Sequence, residues 1–154
     1  IKKYLDNIDH VLLFEFIKEK VTDLHTLSII QEIISSFKEK GIPLGNITSQ
    51  IFANIYLHEL DMYIKKELRC RFYIRYNDDF VIVSKSQMEL EIVRSKVMNF
   101  VSDNLKLAIP FEKTSIRKAS WGINFLGYNI LTDAILLLNN TKSKMCRRIN
   151  KNNK

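Results

Sequence analysis

The sequence predicts an α+β fold, and three observations carry that prediction. Before residue 71, apolar residues recur at helical spacing in three long stretches. The segment "RFYIRYNDDFVIVSK" then reads as two strands about a polar tip. A further helical stretch follows, and after it come several short strand candidates. The order is helix, helix, helix, hairpin, helix, strands. Strands and helices are grouped and do not alternate regularly, as expected of an α+β domain.

Each element has a local reason. Asp9 can cap a helix over "HVLLFEFIKEKV", where Val11, Leu12, Phe14, Ile17 and Val21 recur near helical spacing. Asp23 or Thr26 can start the next, "LSIIQEIISSFKEK", which Gly41 and Pro43 end. A polar loop, "GIPLGNITSQ", leads into "IFANIYLHELDMYIKKEL". There Phe52, Ile55, Tyr56, Leu60, Tyr63 and Ile64 form a broad apolar stripe, as on a helix packed against a sheet. Strands are expected near 72–76 and 80–84, joined at 77–79. Ser86 followed by Glu89 forms a capping-box signature. The helix it opens should run to about Asp103 and bury Ile92, Val93, Val97, Phe100 and Val101. "LKLAI" and "TSIRK", separated by Pro110, are short strand candidates. "INFLGYNIL" and "AILLL" are two more, with Thr132 and Asp133 as their turn. Trp121, Phe125 and Tyr128 are expected to pack in a core.

Composition narrows the function classes. A chain of 154 residues is one domain or a large piece of one. No apolar run approaches the roughly 20 residues of a membrane span. The opening "IKKYLDNIDH" has no signal-peptide core. Cys70 and Cys146 are far apart and fit free thiols in a reducing, cytoplasmic setting. The net charge of +7 favours a polyanionic partner. After Leu138 the composition changes. "NNTKSKMCRRINKNNK" carries Lys142, Lys144, Arg147, Arg148, Lys151 and Lys154 and no acid. It is either a frayed, solvated terminus or a surface for phosphate backbones. The chain begins with Ile and no cap, and is read as a piece whose upstream part is missing.

Asp78 and Asp79 pose the sharpest question. Two adjacent carboxylates between apolar strands suit an ordinary hairpin turn. They also suit a divalent cation that neutralises them. The pair alone leaves both readings open.

Four segments in order bear on the choice: "GIPLGNITSQIFANIYLHELD", "YIRYNDDFVI", "FEKTSIRK" and "WGINFLGY". Together they resemble the palm of bacterial reverse transcriptases. That family includes group II intron maturases and the polymerases of diversity-generating retroelements. Tyr76, Asn77, Asp78 and Asp79 match its Tyr-x-Asp-Asp box, and "IKKYLDNIDH" matches the segment after its first catalytic aspartate. All four glycines fall inside these boxes. The box from Leu44 to Gln50 is similar to the retroelement version, with an aliphatic residue before Gly45 and Ser-Gln at its end. Intron enzymes usually read Gln-Gly there and end on Ser-Pro.

The resemblance implies a palm with a ferredoxin-like antiparallel sheet and helices on one face over 1–138, and the start of a helical thumb over 139–154. It implies RNA-directed DNA synthesis from dNTPs on an RNA template and a DNA primer, by two-metal chemistry with Mg2+ or Mn2+. Asp78 and Asp79 would hold the metals with help from the backbone carbonyl of Ile1. The third carboxylate would precede Ile1; neither Asp6 nor Asp9 replaces it. Lys113 would protonate the leaving pyrophosphate, or else is simply solvated. Leu5, Leu44, Gly45, Gln50 and Tyr76 would border the nucleotide, with Leu5 where the family usually carries a bulky aromatic. Tyr4 is adjacent, but alternation points it elsewhere. Arg75 would brace the hairpin or touch nucleic acid, and Lys142, Lys144, Arg147 and Arg148 would meet phosphates. A small basic accessory protein is a further expected partner. The rival readings are an intron maturase and an inactive palm that binds nucleic acid.

Overall fold

The computed structural model describes residues 1–37, 40–43 and 45–152. Leu44 and Lys154 therefore lie outside the described residues. The chain divides into two compact units, Ile1–Thr114 and Ser115–Lys154.

The first unit holds α1 (His10–Lys18), α2 (Leu24–Ser35), α3 (Ile47–Met62), the hairpin β1 (Phe72–Tyr76) and β2 (Asp79–Val83), and α4 (Gln87–Asp103). The caps form where local chemistry requires them. The Asp9 carboxylate accepts from the Val11 and Leu12 amides, and Asp23 accepts from Thr26. The Ser86 hydroxyl accepts from the Glu89 amide. The reciprocal half of that capping box is replaced: the Ser86 amide donates to Ser84 Oγ, which donates to the Glu89 carboxylate. The last turn of α3 widens into a π-helical turn over Tyr63–Glu67.

The core is built from helix faces. Leu13 and Ile17 of α1, Leu27 and Ile34 of α2, and Phe52, Tyr56, Leu57 and Leu60 of α3 are buried together with Val93, Val97 and Val101 of α4. Val11 and Ile92 were expected on these faces but are more than half exposed. On α1 and α4 the buried seam is narrower than the apolar stripe that flags it.

The hairpin lays one face on this core. Tyr73, Phe80 and Ile82 pack inward, whereas Phe72, Ile74, Tyr76 and Val83 are exposed. Side chains alternate along each strand, and the antiparallel register pairs Tyr73 with Ile82 and Arg75 with Phe80, so each face is continuous across both strands.

"LKLAI" and "TSIRK" do not form strands. One backbone bond, from the Lys2 amide to the Ala108 carbonyl at 3.0 Å, joins the first of them to the N-terminal segment. Lys3 then takes φ 45° and the chain turns into a short 3-10 helix at Leu5–Asn7, so no second rung follows. "TSIRK" follows the 3-10 turn Phe111–Lys113.

The second unit holds β3 (Ile123–Phe125), β4 (Tyr128–Ile130), β5 (Ile135–Leu137) and α5 (Asn139–Asn152). The three strands form one antiparallel meander. The expected single strand "INFLGYNIL" is split by a tight turn at Leu126 and Gly127, which have φ 52° and 83°. Two successive positive φ values fold a chain back with the twist a hairpin needs. The start of α5 is tied to that turn: the Gly127 carbonyl accepts from the Leu138 amide and from Thr141 Oγ1. Trp121 is 70 % exposed and Tyr128 44 % exposed, against the expectation of core positions.

Candidate active site

The β1–β2 hairpin carries the two aspartates on a short tip. Tyr76 pairs with Asp79, so the connection is the two residues Asn77 and Asp78. Asn77 takes φ 52°, a left-handed conformation that asparagine tolerates better than most residues. Asp79 is thus a strand residue, not a turn residue as expected. It lies on the exposed face with Ile74 and Tyr76. Asp78 sits at the tip with its side chain 40 % exposed. Among the described residues neither carboxylate accepts a hydrogen bond from a side chain. The backbone nitrogen of Ile1 lies 3.5 Å from Asp78 Oδ2, so the start of the chain and the tip of the hairpin meet.

Behind the tip is a dense polar cluster. Asp61, near the end of α3, accepts at Oδ1 from Tyr73 Oη at 2.6 Å and from Arg75 Nε at 2.7 Å. Its other oxygen accepts from Arg75 Nη2. Arg75 Nη1 donates to the Asn77 carbonyl at 3.0 Å and reaches Asn54 Oδ1 at 3.5 Å. Burial by itself raises the Asp61 carboxyl, but the hydrogen bonds from Arg75 and Tyr73 outweigh it and hold the group below the ordinary carboxylate range. Burial, and then the hydrogen bond to Asp61, push the Tyr73 phenol well above its ordinary value. Tyr4 is buried, donates to the Ala53 carbonyl, and is likewise pushed up, chiefly by burial.

A family model described as "Reverse transcriptase (RNA-dependent DNA polymerase)" matches residues 1–130. The chain belongs to the reverse transcriptase family. Two curated relatives are the "Group II intron-encoded protein LtrA" of Lactococcus lactis subsp. cremoris and "Protein YkfC" of Escherichia coli (strain K12). The first is 26 % identical over 84 % of this chain and 34 % of the relative. The second is 23 % identical over 85 % of this chain and 45 % of the relative. The chain therefore spans less than half the length of either.

The architecture is that of an α+β reverse transcriptase palm, and the expected residues take the following places in it. Ile1 lies against Asp78 at the hairpin tip, with Asp79 next in the chain and Tyr76 exposed. Leu5 is half-buried, and its carbonyl accepts from the Ile42 amide at 2.9 Å. Gly45 is exposed at φ 101°, with no atom of the described residues where a Cβ would project, so its backbone conformation favours glycine there. Gln50 is exposed on the first turn of α3. Lys113 is exposed at the end of a 3-10 turn and forms no ion pair or side-chain hydrogen bond among the described residues. Lys142, Lys144, Arg147 and Arg148 are all exposed on α5, with no acid on that helix.

Arg75 faces the protein: it donates to Asp61 and Asn77 and reaches Asn54, and its side chain is only 11 % exposed. Asp61 escaped the sequence reading: α3 carries two part-buried acids, Glu59 and Asp61, and nothing local marks the second as the partner of Arg75. No helix among the described residues is long and apolar enough to cross a membrane.

The donor chemistry of the tip suits a hard cation. Its groups are carboxylate oxygens, partly exposed and free of competing side-chain donors. Mg2+ characteristically takes one or two protein carboxylates and fills its remaining positions with water and phosphate. Among the described residues no set of three or more His, Cys, Asp or Glu side chains converges as a metal site, so the tip supplies part of a shell and not a closed cage.

Proposed function

We propose that this palm catalyses RNA-directed DNA synthesis, adding dNTPs to a DNA primer on an RNA template. The observation that carries the reading is the pair of carboxylates, without side-chain partners among the described residues, on a braced hairpin tip within a reverse transcriptase family match. Asp78 would be the direct ligand for the two Mg2+ or Mn2+ ions and Asp79 the peripheral one, with the Ile1 carbonyl beside them and the third carboxylate preceding Ile1. When bound, the ions neutralise charge developing on the attacking and leaving oxygens. The primer 3′-hydroxyl loses its proton to water, and its oxygen forms a bond to the α-phosphorus as the bond to pyrophosphate breaks. Lys113 supplies a proton to that leaving group. Leu5, Leu44, Gly45, Gln50 and Tyr76 flank the nucleotide, and the α5 cations hold duplex phosphates.

The finer assignment is to error-prone copying of the diversity-generating type, supported by the box from Leu44 to Gln50. A leucine before Gly45 offers bulk but no hydrogen bond, and nucleotide selection rests on differences of about 1–3 kcal/mol. The group II intron type is favoured by the similarity to LtrA. The intact protein, given a primed RNA template, dNTPs and Mg2+ or Mn2+, should extend the primer. Inertness with both ions removes the polymerase reading. Sequencing the cDNA separates the two types. Frequent misincorporation opposite adenine, reduced by Leu44→Gln, supports the first. Accurate cDNA, or an error spectrum indifferent to Leu44→Gln, supports the second.

A further inference from the structure

We propose that Asp61 is a positioning residue for the metal-binding tip, acting through Arg75 to fix the turn that carries Asp78. The proposal rests on the polymerase reading above and deepens it.

The geometry is a relay with one rigid part. Asp61 lies on α3, and α3 is anchored in the core by Phe52, Tyr56, Leu57 and Leu60. Arg75 lies on β1, three residues before Asp78. Its planar guanidinium meets Asp61 with two donors, Nε at 2.7 Å to Oδ1 and Nη2 to Oδ2. A fork-to-fork pair fixes the plane as well as the position of both groups. The remaining nitrogen, Nη1, is thereby aimed, and it donates to the Asn77 carbonyl at 3.0 Å. That carbonyl belongs to the peptide bond leading into Asp78. Asn77 is in a sparsely populated conformation at φ 52°, which surrounding contacts must maintain. Tyr73 adds a third donor to Asp61 and leaves it little freedom to rotate. The charges lie in the right place for this role. Arg75 and Asp61 are largely enclosed, at 11 % and 26 % side-chain exposure, while Asp78 remains open at the tip. The relay stiffens the turn without occupying the carboxylate that must bind.

An ordinary structural ion pair would move stability alone. A positioning pair moves metal binding and turnover as well, because partners behind a ligand typically matter about 10–100-fold for metal affinity or activity. Two variants separate these possibilities in the intact protein. Asp61→Asn keeps the side-chain volume but turns one acceptor oxygen into a donor facing Arg75. Arg75→Lys keeps the charge but lacks the fork, so it cannot hold Asp61 with two donors and still reach the Asn77 carbonyl.

Three readouts are needed. Amide hydrogen exchange in metal-free protein should speed up across 76–79 while α3 stays protected. The Mn2+ dissociation constant, from the free-ion resonance signal, should rise about 10-fold. The kcat for primer extension should fall about 10–100-fold with KM for primer–template within about twofold. A lowered melting temperature with unchanged exchange at 76–79, unchanged Mn2+ affinity and unchanged kcat overturns the proposal and leaves the polymerase reading standing. A raised KM with a shallower salt dependence overturns it in favour of Arg75 as a nucleic-acid contact. A wild-type protein inert on primed RNA removes the polymerase reading and the proposal with it.

Discussion

Tyr56→Phe isolates one buried hydroxyl. Tyr56 is fully buried on α3. Its hydroxyl donates to the Leu105 carbonyl at 2.8 Å and accepts from the Asp9 amide at 3.4 Å. It therefore joins α3 to the chain just past α4 and to the cap of α1. The substitution keeps the ring, including its edge contact with Phe16 at 5.5 Å between centroids. No cavity forms beyond the lost oxygen. What remains is a Leu105 carbonyl that water cannot reach, since Leu105 is itself fully buried. A buried acceptor stripped of its partner costs about 1–3 kcal/mol. The longer Asp9 contact adds little, being near the limit for a hydrogen bond. With a urea dependence of about 2 kcal/mol per molar, the midpoint should fall by about 0.5–1.5 M. Unfolding followed by circular dichroism at the helix band measures this. Tyr63→Phe is the control. Tyr63 stacks on Phe100 at 4.1 Å, and its hydroxyl has no partner among the described residues, so its midpoint should move far less. Equal midpoints for the two variants would refute the reasoning.

Gly41→Ala should destabilise by about 2 kcal/mol or more, because Gly41 has φ 80° and a Cβ there would meet the Asp6 carbonyl oxygen at 2.7 Å; thermal unfolding checks it. Raising pH should destabilise the fold between about pH 10 and 12. Burial raises the Tyr56 phenol from 10.0 to about 12 and raises Tyr4 and Tyr73 as well. The stabilisation from keeping these phenols neutral is complete below pH 10 and is lost as pH rises through the folded values. Phenolate absorbance should show their titration coinciding with unfolding; early titration without unfolding contradicts their burial. Arg147→Ala with Arg148→Ala should weaken primer–template binding equally across sequences and reduce the salt slope by up to about 2. A changed base preference contradicts the assignment of those cations to phosphates.

What was legible in the sequence was local. Asp9, Asp23 and Ser86 are caps because a side-chain oxygen needs only the next turn to act. The hairpin was legible from its alternation, and its tip from Asn77 and the aspartates. The basic segment after Leu138 was legible as a change in composition, and it begins a helix at Asn139. What was not legible depends on contacts distant in sequence. Strand character in "LKLAI" needed a neighbour that the turn at Lys3 denies it. The fold at Leu126 and Gly127 was masked because Leu126 is an unusual residue at positive φ. Exposure of Trp121, on a 3-10 turn, depends on what the rest of the fold brings against it, which a local pattern does not encode. The bridge from Asp61 to Arg75 spans 14 residues and links a helix to a strand. Each residue alone reads as an ordinary surface charge, and only the fold pairs them.

The central claim is that the hairpin tip is the catalytic metal site of a reverse transcriptase, and single-turnover primer extension on an RNA template tests it most directly. The intact wild-type protein and Asp78→Ala should be compared across a range of Mg2+ concentrations. Asp78 is at a tip and outside the core, so the variant should unfold at nearly the wild-type temperature. The account predicts that extension falls by orders of magnitude at every Mg2+ concentration. Near-normal extension by the folded Asp78→Ala protein would contradict it.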